Sequence, residues 1–208
     1  MQPLNSAFKQ IILGSSSIAR RNILSEMGYA FTVMSADIDE KSIRIENPED
    51  LVMALAEAKA DAIISRLDLS VYKEPSAEPT LLITADQVVV HEGVIREKPL
   101  SKEEARAFIK GYSKGHAATI GSVLVTNLKT GIRKGEVDKA EIYFHDIPDE
   151  IIESLVNIEE GKVLNVAGGL IVEHPLTSPL VEAMVGTTDS VMGLPKVLTQ
   201  TLIREALL

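Results

Sequence analysis

The chain has 208 residues, 45% of them hydrophobic, enough for one sizeable core or two small lobes that share one. Its 30 Asp and Glu against 21 Lys and Arg leave a net charge of −9, which argues against a general nucleic-acid binder with its basic surface. The absence of cysteine excludes disulfides and thiolate metal sites and fits a reducing compartment. No apolar run approaches the roughly 18 residues of a membrane span, and the opening "MQPLNSAFKQ" lacks the basic-then-apolar order of a secretory signal. The expectation is a cytoplasmic protein with neither a membrane nor a nucleic-acid polymer as partner.

Ile11 to Leu13 read as a short buried strand ended by Gly14. Ser17 is placed to cap a helix whose apolar face is Ala19, Ile23, Leu24 and Met27, with Gly28 to end it. "YAFTVMSADIDE" reads as a second strand running into an acidic turn. "NPEDLVMALAEAKADAIISRL" is the clearest helix: Asn47 caps, Pro48 and acids occupy the first turn, and Leu51, Ala54, Leu55, Ala58 and Ala62 form its stripe. "SVYKEPSAEPT" is a polar connection, and "LLITADQVVV" a strand or strand pair. Ser101 and Glu104 open a helix with a capping-box pattern. Two strands with an "NLKTG" turn between them span Ala117 to Phe144; "IPDEIIESLV" is helical, "AGGLIVE" a glycine-hinged strand, and a last helix begins at Pro195. Strands and helices alternate, so the class is α/β, and no composition shift marks a domain boundary.

Five places could carry chemistry. In "LGSSSIARR" an apolar strand hands over to a helix through serines. Helix N-termini offer unpaired N–H groups to anions, Ser15 and Ser17 could add hydroxyls, and Arg20 could fork onto two oxygens. The alternative is a serine-capped helix with solvated arginines, and the pattern is not a Walker loop. In "SADIDE", Asp37, Asp39 and Glu40 could supply oxygen ligands to Mg²⁺ or Mn²⁺, or form an ordinary solvated turn. Asp86 stands among apolar neighbours, where an ionised carboxylate is costly unless paired or metal-bound and where catalytic bases occur; the alternative is a strand-end aspartate that caps a turn. Lys59 lies at the margin of its helix's apolar stripe, and Lys98 precedes Pro99. The four histidines are scattered without metal-ligand spacing.

In order, "LGSSSIARRNIL", "DIDE", "LAEAKA", "ADQVVV", "EKPLSKEEA", "AGGLIVE" and "VMGLP" resemble the successive blocks of the Maf family of nucleoside triphosphate pyrophosphatases, over about residues 10 to 200. The resemblance implies one Maf-like domain over 1–208. Its α/β fold would be two-lobed, a mixed sheet with flanking helices related to the inosine triphosphate pyrophosphatases, with a cleft between lobes and often a homodimer. It implies cleavage of a nucleoside triphosphate between the α- and β-phosphates with a divalent metal, Mg²⁺ or Mn²⁺. By matching motif, Ser15, Ser17, Arg20, Lys59 and Lys98 would bind substrate, Glu40 and Asp86 would serve the metal, and Asp86 would be the general base.

The resemblance also bears on substrate. One branch of the family carries Thr after "AD" and Gln after "AGG" and prefers dTTP and UTP. Another carries Gln and Glu and prefers 7-methyl-GTP, and this chain has Gln87 and Glu173. A carboxylate can accept from the N1–H and exocyclic amine of guanine, and N7-methylation makes that base cationic. Two departures bear on the pocket: the family's usual Pro is Ile18, and the third selectivity position, normally Arg or Trp, is Ala19. The rival readings are a dTTP/UTP pyrophosphatase, a non-enzymatic nucleotide-binding regulator of cell division, and a phosphatase releasing orthophosphate.

Overall fold

A computed structural model describes residues 8, 10–158 and 162–208. Most of the opening segment examined for a leader pattern therefore lies outside the described residues. The chain divides into two compact units, Met1–Asp86 with Gly121–Asp138 and Gly193–Leu208, and Gln87–Ile120 with Lys139–Met192. The strands join in one mixed sheet of order β2-β1-β3-β5-β6-β7, with β4 paired to β3.

In the first unit β1 (Gln10–Leu13) lies between β2 (Phe31–Val33) and the start of β3 (Thr80–His91), parallel to both. A strand paired on both sides and covered on both faces reads as an unbroken apolar run, which is why Ile11, Ile12 and Leu13 are all buried. Between β1 and β2 runs α1 (Ile18–Glu26), burying Ile23 and Leu24. α2 (Pro48–Ile64) starts at Asn47, whose side chain accepts from the N–H groups of Glu49 and Asp50. Its Ala56, Ala60 and Ile63 pack with Ile12, Leu82, Leu124 and Leu128. A short helix, α3 (Leu69–Lys73), interrupts the segment expected to be a plain connection; Asp68 caps it through Ser70 N–H. α7 (Lys196–Leu207) follows Pro195 as expected.

Three strands of twelve residues each, β3, β5 (His116–Asn127) and β6 (Arg133–Phe144), pass from one unit into the other. The boundary therefore cuts through strand interiors, where composition has no reason to change. In the second unit β4 (Val94–Arg96) returns antiparallel on β3, and β7 (Val181–Val185) pairs antiparallel with β6. α4 (Lys102–Tyr112) and α5 (Asp149–Asn157) cover a core that includes Tyr112, Phe144, Ile152 and Val172. α6 (Thr188–Val191) is a single turn. At α4 the expected cap is half realised: Ser101 Oγ accepts from Glu104 N–H at 3.1 Å, while the Glu104 carboxylate reaches Leu100 N–H, one residue earlier than a capping box requires.

"AGGLIVE" is not a strand. Ala167–Gly169 forms a 3₁₀ turn in which Gly168 (φ 61°) and Gly169 (φ 63°) are both left-handed, a conformation only glycine adopts cheaply. Gly168 is fixed from two sides, its N–H donating to Glu97 O at 2.9 Å and its carbonyl accepting from Tyr112 OH at 2.9 Å.

Gly14 serves a different purpose. A Cβ there would lie 2.6 Å from Thr84 Cγ2 and 2.7 Å from Ile63 Cδ1, so its absence lets the turn after β1 lie directly on β3 and α2. Gly14→Ala should lower stability by about 1–3 kcal/mol through overpacking, read as a lower urea midpoint at unchanged m value. An unshifted midpoint would mean that Thr84 and Ile63 give way freely.

Candidate active site

Three elements of the first unit bring the predicted charged groups together. β3 carries Asp86, buried to 9% exposure just past the segment that pairs with β1. α2 carries Lys59, and the 3₁₀ turn Glu40–Ser42 carries Glu40. Lys59 Nζ donates to Asp86 Oδ1 and lies 2.8 Å from Glu40 Oε1. Two carboxylates from separate parts of the chain thus meet on one ammonium.

The position of Lys59 follows from how α2 docks. Its buried face is Leu51, Val52, Leu55, Ala56, Lys59, Ala60 and Ile63, and not the stripe through Ala54, Ala58 and Ala62, which is only half-buried. Lys59 is therefore a member of the buried face, its alkyl stem among apolar neighbours and its charged tip carried to the carboxylates. Sheet hydroxyls hold the helix in register. Thr84 Oγ1 donates to Ala56 O at 2.8 Å, and Ser122 Oγ to Val52 O at 2.6 Å, four residues apart on one helix face. Ser122 Oγ in turn accepts a long bond from Asp86 N–H, 3.4 Å.

The serine turn forms the other half. Ser17 caps α1, its Oγ accepting from Arg20 N–H at 3.3 Å, and Ser15 Oγ accepts from Ser17 N–H at 3.2 Å. Arg20 does not run into solvent: Nε donates to Gly193 O at 2.9 Å, and Nη1 to Ala85 O at 3.0 Å and Ser15 Oγ at 3.4 Å. Among the described residues these bonds leave the two N–H groups of Nη2 without an acceptor. Burial pulls the guanidinium below its ordinary value, while the charges of Asp86 and Glu40 pull it back up. Arginine stays protonated through such a shift. The first turn of α1 contains no acidic side chain of its own.

The acidic turn divides. Asp37 is exposed, and Asp39 caps the 3₁₀ turn, Oδ1 accepting from Lys41 N–H at 3.1 Å. Among the described residues no three Asp, Glu or His side chains converge as a metal-binding group. Of the three acids, Glu40 alone is seen against Lys59, so the expected cluster of oxygen ligands in "SADIDE" does not form by itself.

The remaining candidates belong to the second unit. Gln87 Nε2 donates to both Ser190 O and Val191 O, each at 3.0 Å, which turns its carbonyl oxygen toward whatever it can accept from. Lys98 is exposed beside buried Pro99, and Glu173 is exposed after the glycine turn. Ala19 is half-buried on α1 in the first unit, and Ile18 is 72% exposed. Sequence reasoning missed Gly193 and Ser122. "VMGLP" was visible as a block, but that its glycine carbonyl anchors a guanidinium 173 positions earlier has no local signal.

A buried carboxylate joined to a lysine, an arginine held beside it by neutral acceptors, and a serine-capped helix start thus share one corner of the first unit. The pattern of the Maf-like protein family matches residues 10–206, and the chain belongs to that family. It is 40% identical to a 7-methyl-GTP pyrophosphatase of Dictyostelium discoideum over 95% of this chain and 97% of that one. It is 33% identical to a dTTP/UTP pyrophosphatase of Pyrococcus furiosus over 94% of each, and 32% identical to a 7-methyl-GTP pyrophosphatase of Idiomarina loihiensis over 72% of this chain and 71% of that one. These relatives are named as pyrophosphatases, a class of hydrolase. No helix among the described residues is long and apolar enough to cross a membrane.

Arg20→Lys tests the corner. A lysine ammonium cannot hold three protein acceptors and still present a planar pair of donors, so tripolyphosphate should bind about tenfold more weakly, some 1.4 kcal/mol. Calorimetric titration checks this, and an unchanged affinity would remove Arg20 from the anion's partners.

Proposed function

We propose that this chain is a nucleoside triphosphate pyrophosphatase that cleaves between the α- and β-phosphates of a modified purine nucleotide, with 7-methyl-GTP preferred. The observation that carries the reading is the meeting of Lys59 with both Asp86 and Glu40, next to Arg20. A family match from end to end adds to it.

In this reading Arg20, its guanidinium already fixed by Gly193 and Ala85, binds phosphate oxygens through Nη2, assisted by Ser15, Ser17 and the N–H groups at the start of α1. Lys59, and Lys98 by family likeness, add positive charge to the triphosphate. Asp86 accepts at its carboxylate the proton of the water that attacks the α-phosphorus. The α–β bridging bond breaks, its electron pair leaves with pyrophosphate, and the water oxygen stays on the nucleoside monophosphate. Glu40 and Asp86 are hard oxygen donors on one cation position, a fit for Mg²⁺ or Mn²⁺, which commonly use one or two carboxylates plus substrate phosphates. Such an ion would offset phosphate charge when bound.

For the base, the carboxylate of Glu173 suits the adjacent N1–H and amino donors of guanine. Gln87 adds an oriented acceptor because its amide N–H groups are already committed to backbone carbonyls. A methylated, cationic guanine gains further from a nearby negative charge. The 40% identity to a 7-methyl-GTP pyrophosphatase, against 33% to a dTTP/UTP pyrophosphatase, supports the same choice.

A nucleotide panel with product analysis is the direct test. Pyrophosphate and monophosphate are expected, fastest from 7-methyl-GTP. Orthophosphate would indicate a terminal phosphatase, binding without turnover a regulator, and a preference for dTTP or UTP the other branch. Asp86→Asn should cut kcat by about 10²–10⁴-fold, the usual contribution of a general base, with nucleotide affinity changed only a few fold; a near wild-type rate would assign the base elsewhere. Glu173→Gln should lower kcat/KM for 7-methyl-GTP more than for UTP, since it removes charge while keeping the shape; equal losses would take Glu173 out of base selection.

A further inference from the structure

The two carboxylates that suit a divalent cation are already satisfied. Glu40 Oε1 and Asp86 Oδ1 both contact Lys59 Nζ, so the position a metal would take between them is held by an ammonium. Arg20 stands near enough for the charges of both carboxylates to act on its guanidinium. We propose that Lys59 is an internal stand-in for the divalent ion. It holds Glu40 and Asp86 together in the ligand-free protein, and Mg²⁺ or Mn²⁺ reaches them by exchange with it, the released ammonium passing to the phosphate tail.

This rests on the pyrophosphatase reading and adds an order of events to it. A divalent ion placed on these oxygens while Lys59 remains would set like charges side by side in a poorly solvated spot, which is strongly unfavourable. Removing Lys59 from them without another partner would strand a nearly buried cation, its side chain only 10% exposed. A phosphate tail relieves both penalties at once, since it draws off the ammonium and contributes oxygens to the ion. Lysine suits this transfer because its charge is compact and its four-carbon stem rotates. The Glu40 side chain, 44% exposed, leaves the ion an approach from solvent. Metal and nucleotide should therefore bind with strong mutual enhancement, and the metal alone only weakly.

The test is Mn²⁺ binding to the intact, nucleotide-free protein, followed by electron paramagnetic resonance of the free ion. Lys59→Met keeps the stem and removes the charge, and should bind Mn²⁺ about tenfold or more tightly than wild type, within the usual range of couplings between sites. In wild type, α,β-methylene-GTP should raise Mn²⁺ affinity by a similar factor, and in Lys59→Met this enhancement should shrink. A folded variant that binds Mn²⁺ no better than wild type overturns the proposal. Should the variant not fold, wild type still decides: saturating Mn²⁺ should raise acetylation of Lys59 by acetic anhydride, read by mass spectrometry, and an unchanged or lowered extent overturns the exchange. Pyrophosphate release by wild type is measured in parallel. Turnover without competition sinks the exchange alone, whereas competition without turnover leaves it standing and sinks the pyrophosphatase reading.

Discussion

The ammonium of Lys59 lies between two carboxylates, and the local structure around it answers to that contact. A charge carried to the buried face of a helix is tolerated only where an opposite charge meets it. Here the partners come from the 3₁₀ turn at Glu40 and from β3 at Asp86, so a strand, a helix and a turn must all be in place for the group to be balanced. The bonds from Thr84 and Ser122 to carbonyls of α2 supply that placement. They join uncharged groups, so they fix the helix without altering the charge at its working end.

Arg20 and Lys59 are held by different means, and the difference bears on what each can do. The three acceptors of Arg20 are a backbone carbonyl at Gly193, another at Ala85 and a hydroxyl at Ser15, all neutral. They fix the plane of the guanidinium, on which Asp86 and Glu40 act only through their charge. Lys59 is held by two charged acceptors that cancel it. In the proposed exchange Arg20 meets the phosphate as it stands, and Lys59 reaches it only on release. Gly14 lets the serine turn close on Thr84, and Gly193, with a positive φ of 92°, offers its carbonyl to Arg20.

The elements with strong local chemistry were legible in the sequence. Asn47 and Ser17 cap where their side chains predict, Ile11–Leu13 is the buried strand, and "NLKTG" joins two long strands. Misreadings arise where a distant contact overrides the local pattern. The apolar pattern of α2 puts its stripe through alanines with Lys59 at the margin, yet Asp86 and Glu40 make the burial of Lys59 tolerable, and the buried face includes Val52 and Ala56. "AGGLIVE" reads as a strand by its β-branched residues, but Glu97 and Tyr112 capture Gly168 and hold it left-handed. The acidic run "DIDE" looks uniform, and capping takes Asp39 away from Glu40. As for Gly193, its bond to Arg20 is set by the fold and leaves no trace in nearby residues.

A chain of net charge −9 places few cations where a polyanion can use them, and that scarcity shapes recognition. Long-range repulsion disfavours a bare tetra-anion, while a tail already complexed to a divalent ion arrives with about half its charge neutralised. Lys59 and Arg20 both stand against carboxylate charge, which shallows any positive well for orthophosphate or sulfate, while Lys59 holds the carboxylates that a free metal would need; in the proposed exchange Arg20 and the start of α1 give an anion a first foothold, and the remaining attraction appears only once Lys59 has left its carboxylates. A ligand must then bring both a cation for Glu40 and Asp86 and oxygens for Lys59. A metal-bound phosphoanhydride tail meets both demands in one molecule, and single ions meet only one.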